Sequence, residues 1–212
     1  MNLYLCKIFS PRTNTCMQRV SILGSELKIV LASTSPRRRE LMVELGFEFE
    51  VVKPLSDETS VDPDPRKRVV ENAEAKARSV VDRHPNALII GADTVVFLES
   101  VFLGKPVDPD DARRMLRKLS GRTHQVFTGV AILDTRDGSM GSGVDETMVT
   151  FRELSEEEID EYVAGGEPLD KAGAYGIQGA ASFFVDAVDG SWSNVVGLPL
   201  ELLRGFLTKI HG

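Results

Sequence analysis

Residues 87–98 read A-L-I-I-G-A-D-T-V-V-F-L, a β-branched, apolar run interrupted by G-A-D-T at 91–94. Composition and length mark it as a buried strand, and a chain built around such a strand must cover it with other elements. The run also carries a carboxylate. Asp93 must be paired, bound to a metal or placed at a cleft, or its desolvation weighs against folding. The alternative is a strand-end aspartate that accepts from a nearby backbone amide.

The flanking segments supply the cover. Leu27 to Ala32 is a second apolar run apart from Lys28, and it leads into Ser35 as N-cap, Pro36 at the first helical position, Leu41, Met42 and Leu45 at helical spacing, and Gly46 as a stop. Strand, short loop and helix in this order aim backbone N–H groups at an anion. F-E-F-E-V-V-K alternates as a half-buried strand, and an acidic, proline-bearing loop from Leu55 to Pro65 precedes a helix with Val69, Val70, Ala73 and Ala77 on one face. Asp108-Pro109 opens a helix lined by Ala112, Met115, Leu116 and Leu119 and closed by Gly121. Thr123 to Asp134 and Val144 to Phe151, joined by D-G-S-M-G-S-G, read as a long hairpin. Ser155 and Glu158 form a capping box for a helix ending at Gly165-Gly166. A strand from Ala181 to Val188 and an amphipathic helix from Pro199 to Ile210 complete the chain. The order predicts an α/β fold with a mixed sheet and two lobes around a cleft, a single domain over 27–212. Residues 1–26 stand apart from this periodic pattern as an extension without chemistry, with Met17 as an alternative start.

Composition narrows the function. The 212 residues are 42% hydrophobic, enough to bury one core. A net charge of -7 argues against a broad nucleic-acid surface, so a phosphate ligand must meet local positive charge or a metal. Cys6 and Cys16 are the only cysteines, which fits a reducing cytoplasm and no disulfide framework. No apolar run is long enough for a membrane span, and the N-terminus lacks the pattern of a signal peptide.

Three stretches place charge beside small residues at the end of an apolar element: 33-STSPRRR-39, 91-GADT-94 and 170-DKAGAYGIQG-179. In the first, Ser33 and Ser35 offer hydroxyls and Arg37 and Arg38 offer planar donor forks suited to phosphate oxygens; taken alone, it reads first as a capped helix start with solvated arginines, since such starts far outnumber phosphate sites. In the third, Asp170 and Lys171 precede Gly173, Gly176 and Gly179, and Gln178 has the donor and acceptor needed to read a base edge; its plain alternative is a structural turn. Lys53, Lys76 and Lys105 can add to a local positive pocket. Asp57 or Glu58 can join Asp93 on a divalent ion. The three histidines are too scattered for a metal cluster, and neither G-x-x-x-x-G-K-[ST] nor G-x-G-x-x-G occurs.

Taken in order, S-T-S-P-R-R, the E-A-K-A around Lys76, G-A-D-T, the K-P of Lys105-Pro106, L-S-G-R-T-H-Q-V, D-K-A-G-A-Y-G-I-Q-G and V-V-G-L-P resemble the Maf family of nucleoside triphosphate pyrophosphatases from Leu27 to the C-terminus. The resemblance implies an elongated mixed sheet flanked by helices, of the Maf or ITPase-like kind, with a deep cleft between two lobes, a divalent cation (magnesium or manganese) and frequently a homodimer. It implies hydrolysis of a nucleoside triphosphate to monophosphate and pyrophosphate, with Asp93 as proton acceptor. Arg37, Thr94 and Gln178 match the branch acting on dTTP and UTP, so these are the expected specificity residues and house-cleaning of noncanonical nucleotides the expected role. Ser33, Arg38, Lys53, Lys76, Lys105 and Lys171 are the expected phosphate ligands, and Glu58, Asp93 and Asp170 the expected metal ligands. The sibling 7-methyl-GTP branch has an aromatic residue after S-P, which this chain lacks; that activity, and a nucleotide-binding role in cell division and septum formation, are the alternatives.

Overall fold

A computed structural model describes residues 27–56 and 59–211. The predicted central strand is there at full length: β3, Ala87–Leu98, follows β1 (Lys28–Ala32), α1 (Pro36–Glu44), β2 (Phe49–Val52) and α2 (Pro65–Arg78). After it come β4 (Val101–Leu103), α3 (Pro109–Leu119), β5 (Thr123–Asp134), β6 (Met140–Phe151), α4 (Glu156–Ala164), β7 (Val185–Asp189), α5 (Trp192–Val196) and α6 (Leu200–His211). The strands form one seven-stranded sheet of order β2-β1-β3-β5-β6-β7, with β4 paired to the end of β3. β1 runs parallel to β2 and β3, while β5, β6 and β7 are antiparallel, so the sheet is mixed. Among the described residues no helix is long and apolar enough to cross a membrane. The proposed extension, both cysteines, Asp57 and Glu58 lie outside the described residues.

Apolar residues of β3 alternate between two faces. Leu88, Ile90 and Ala92 pack with Ile29 and Leu31 of β1 into the larger core, which the helices α1, α3, α4 and α6 close. Ile89 joins Val30, Ala32, Ala77 and Val80 in a smaller cluster under α2. The helix sits directly on the sheet because glycines lie beneath it. A Cβ at Gly91 would meet the Ala73 carbonyl oxygen at 2.1 Å, and one at Gly129 the Val69 carbonyl oxygen at 2.3 Å.

The cleft follows from strand lengths. β1 pairs with β3 only from Ala87 to Gly91 and then leaves the sheet, whereas β3 continues and gains β4 at Val96. Asp93 and Thr94 therefore lie just where β3 has lost its parallel neighbour, beside the loop that starts α1. Ligand sites of open α/β sheets commonly occupy such strand ends.

Four elements differ from their sequence signals. β6 begins at Met140, four residues earlier than Val144, because G-S-G is strand rather than loop: its glycines leave the space taken by the Phe206 ring, which a Cβ at Gly143 would meet at 3.1 Å. The first half of the expected Ala181–Val188 strand is a 3-10 turn, Ala180–Phe184, which turns Phe184 against Tyr162 and Phe151. β4 and the five-residue α5 are too short to show as periodic patterns.

Candidate active site

Ser35 caps α1 as expected, its side chain accepting from Arg38 N, and Ser33 Oγ accepts from Ser35 N at 3.1 Å. The first turn of α1 thereby delivers Arg37 and Arg38 to the gap beside β3. On the other side of β3, α2 delivers two polar side chains one turn apart. Lys76 Nζ lies 2.6 Å from Asp93 Oδ1, and Asn72 Nδ2 donates to Asp93 Oδ2 at 2.9 Å. Asp93 is 2% exposed and Lys76 7%, so the carboxylate expected to need a partner has both an ammonium and an amide. Asn72 in turn accepts from Ser60 N at 3.0 Å, tying the acidic loop to the same aspartate.

These groups open onto a cleft of about 570 Å³. Every expected site residue within the described chain lines it: Ser33, Arg37, Arg38, Lys53, Lys76, Asp93, Thr94, Lys105, Asp170, Lys171 and Gln178. Six of these are cationic and two are carboxylates, so the wall is positive although the chain carries -7. Arg39 is exposed and outside the lining, as a solvated side chain would be. Lys53, Lys105 and Gln178 are exposed at the cleft wall.

Not all of these side chains point at open space. Arg38 donates to Gly197 O at 2.7 Å, to Ser33 Oγ at 3.4 Å and to Thr94 Oγ1 at 3.0 Å, so its guanidinium is oriented by the protein. Thr94 accordingly uses its hydroxyl within the wall. Gly197, at φ 119°, caps α5 and turns its carbonyl to Arg38, which is what the V-V-G-L-P stretch does here. Asp170 contacts Lys171 Nζ at 2.7 Å and Arg37 Nη1 at 3.6 Å. Burial pushes the Asp170 carboxyl up, but the Lys171 hydrogen bond and the charges of Lys171 and Arg37 hold it below the usual carboxylate range. The glycine-rich loop is anchored by Gly173 N donating to Gly104 O at 3.0 Å, next to Lys105.

Some residues of the site carried weak signals or none. Asn72 stands four residues before Lys76, but its significance depends on knowing that this helix face meets Asp93. Ser56, in the loop after β2, lines the cleft with a buried, unpartnered hydroxyl. Tyr175 lines it too, its hydroxyl 2.7 Å from His124 Nε2.

A positive cleft where β3 has lost its parallel neighbour, with a buried carboxylate held by Lys76 and Asn72 in its wall, marks an α/β protein whose site suits a polyanion. The model of the family described as Maf-like protein matches residues 28–210, and the chain belongs to the Maf family. It is 45% identical over 185 residues, 86% of this chain and 96% of the relative, to the dTTP/UTP pyrophosphatase of Dictyoglomus thermophilum. It is 50% identical over 190 residues, covering 87% and 98% of the two chains, to the dTTP/UTP pyrophosphatase of Moorella thermoacetica. Among solved structures, that of the Staphylococcus aureus Ham1 protein aligns with 86% of this chain and 98% of its own at 16% identity and a TM-score of 0.49.

Proposed function

We propose that the chain is a nucleoside triphosphate pyrophosphatase that hydrolyses dTTP and UTP, with their modified pyrimidine analogues, to the monophosphate and pyrophosphate. The observation that carries the reaction is Asp93, buried at the cleft wall between Lys76 and Asn72. The kinship with dTTP/UTP pyrophosphatases supports the choice of substrate.

In this reading the cationic wall binds the triphosphate, and Asp93 orients a water at the α-phosphorus and accepts its proton. The bond from water oxygen to the α-phosphorus forms as the bond to the bridging oxygen breaks, and pyrophosphate leaves with its charge neutralised by lysines and arginines. Lys76 Nζ, at hydrogen-bonding distance, compensates the charge of the buried Asp93 carboxylate. Arg37 and Gln178 are the residues assigned to the base.

Asp93 also suits a divalent cation. Carboxylate oxygens are hard ligands, and magnesium commonly binds through one or two carboxylates plus substrate phosphates. Among the described residues no group of three or more His, Cys, Asp or Glu gathers as a metal site, and Asp170 is engaged with Lys171 and Arg37. Magnesium or manganese would therefore be held by Asp93 together with the triphosphate, with Glu58 and Asp170 as further candidates. Such an ion supplies charge neutralisation at the reacting phosphate.

The test is product analysis. Purified protein with dTTP or UTP and magnesium is expected to release pyrophosphate, and Asp93→Asn to lose activity by roughly 10²–10⁴-fold. Release of orthophosphate from the γ position would sink this reading. Rates across dTTP, UTP, 5-methyl-UTP, CTP and 7-methyl-GTP separate the pyrimidine assignment from its sibling.

A further inference from the structure

Two of the acceptors that Arg38 meets, Gly197 O and Thr94 Oγ1, trace back to one short helix. Gly197 O, at the end of α5, takes Arg38 Nε directly. The second route runs through a pair of threonines facing each other across β3 and β5, Thr94 and Thr128, whose hydroxyl oxygens are 3.0 Å apart. Thr128 Oγ1 donates to the Asn194 carbonyl oxygen of α5 at 2.9 Å.

The direction of each bond in this chain is determined. A hydroxyl has one proton, and that of Thr128 goes to Asn194 O. The bond between the threonines must then be donated by Thr94, which leaves the Thr94 oxygen to meet Arg38 Nη2 with a lone pair. A guanidinium only donates, so any other orientation of the Thr94 hydroxyl would weaken this contact. α5 is itself held in place: Asn194 is fully buried, and its Nδ2 donates to Val126 O at 3.0 Å and to Thr147 Oγ1 at 2.8 Å. Thr128 is fully buried as well and is not among the residues lining the cleft.

We propose that Thr128 is a positioning residue for phosphate recognition: by setting the direction of the Thr94 hydroxyl it sets the guanidinium of Arg38 toward the bound polyphosphate, with Asn194 holding the final acceptor. This rests on the assignment of the cleft to a triphosphate. Because Arg38 is oriented before the ligand arrives, binding needs less ordering of its side chain. The hydroxyl of Thr128 matters to this role, not its bulk.

The experiment compares Thr128→Val, which keeps the shape, with Thr128→Ser, which keeps the hydroxyl, in the full-length chain. The readouts are KM and kcat for dTTP and UTP, and ¹⁵N NMR of the Arg38 Nη–H groups without ligand, Nη2 being the donor to Thr94. Thr128→Val is expected to raise KM roughly tenfold, the loss of a hydrogen bond to a charged group, while kcat changes by less than about twofold. Thr128→Ser is expected to restore KM to within about twofold of the parent chain. The Arg38 Nη2–H signal should exchange slowly in the parent and serine chains and faster in the valine variant, where its acceptor is no longer oriented. If Thr128→Val fails to fold, Thr128→Ala takes its place in the same comparison. A valine variant indistinguishable from the parent in KM and in the Arg38 signal overturns the proposal, as does a serine variant as impaired as valine. If the parent chain does not turn over either nucleotide, the assignment of the reaction fails, and the Arg38 signal still decides for or against Thr128.

Discussion

Asp93 and His124 are both buried polar side chains, and their surroundings treat them in opposite ways. Asp93 has an ammonium and an amide, so its charge is compensated where it lies. His124, 1% exposed, has the Tyr175 hydroxyl and the edges of Phe151 and Tyr175, and burial lowers its pKa from 6.5 to about 4. Between those values the unfolded chain binds a proton that the folded chain does not, so stability falls as pH drops through this window. The loss amounts to about 3 kcal/mol by the conversion of one pKa unit to about 1.4 kcal/mol. Urea unfolding of the parent chain and His124→Gln at about pH 7 and about pH 4 is expected to show the difference shifting by that amount in favour of the variant. At this scale the sequence exposed Asp93, because a charge inside an apolar run is conspicuous. It concealed Asn72, because an amide on a helix is unremarkable until the helix face is known to meet a carboxylate.

α2 does at the level of the element what no single residue can: it carries Lys76 and Asn72 to Asp93 by lying on two glycines of adjacent strands. Gly129→Ala places a methyl 2.3 Å from the Val69 carbonyl oxygen, backbone that can move only if the helix moves. The variant is expected to lose about 1–3 kcal/mol or more by thermal unfolding, and to lose activity as Lys76 and Asn72 shift from Asp93. Gly205→Ala on α6 is the contrast. A Cβ there meets nothing within 4 Å, and replacing a helical glycine is expected to add about 0.5–1 kcal/mol with activity unchanged. Capped helices were the most legible elements, since Ser35, Asp108 and Ser155 announce them and all three cap as expected. The G-S-G opening of β6 was not, because its glycines answer to Phe206 of α6, sixty residues on.

Over the whole molecule, charge is distributed against its sum. A chain of net charge -7 gathers six cations around one cleft, so its attraction for a polyanion is local and open to screening by salt. Raising potassium chloride from about 0.05 to about 0.5 M is expected to raise KM for UTP with little effect on kcat, since the Debye length shrinks from above 10 Å to a few ångströms. A KM flat across that range would mean that the cations do not face the substrate. The sequence by itself determined the buried strand with its anomalous aspartate, the capped helix starts and the mixed α/β class, because periodicity, capping and a charge in an apolar run are local signals; the residues that share the cleft were expected from the resemblance of its ordered motifs to the Maf family. Only the tertiary structure decided which of those residues turn toward the ligand and which brace the wall. Arg38, Thr94 and Asp170 find partners far away in the sequence or on another element, and the direction of a hydrogen bond is settled only when every neighbour has taken its place.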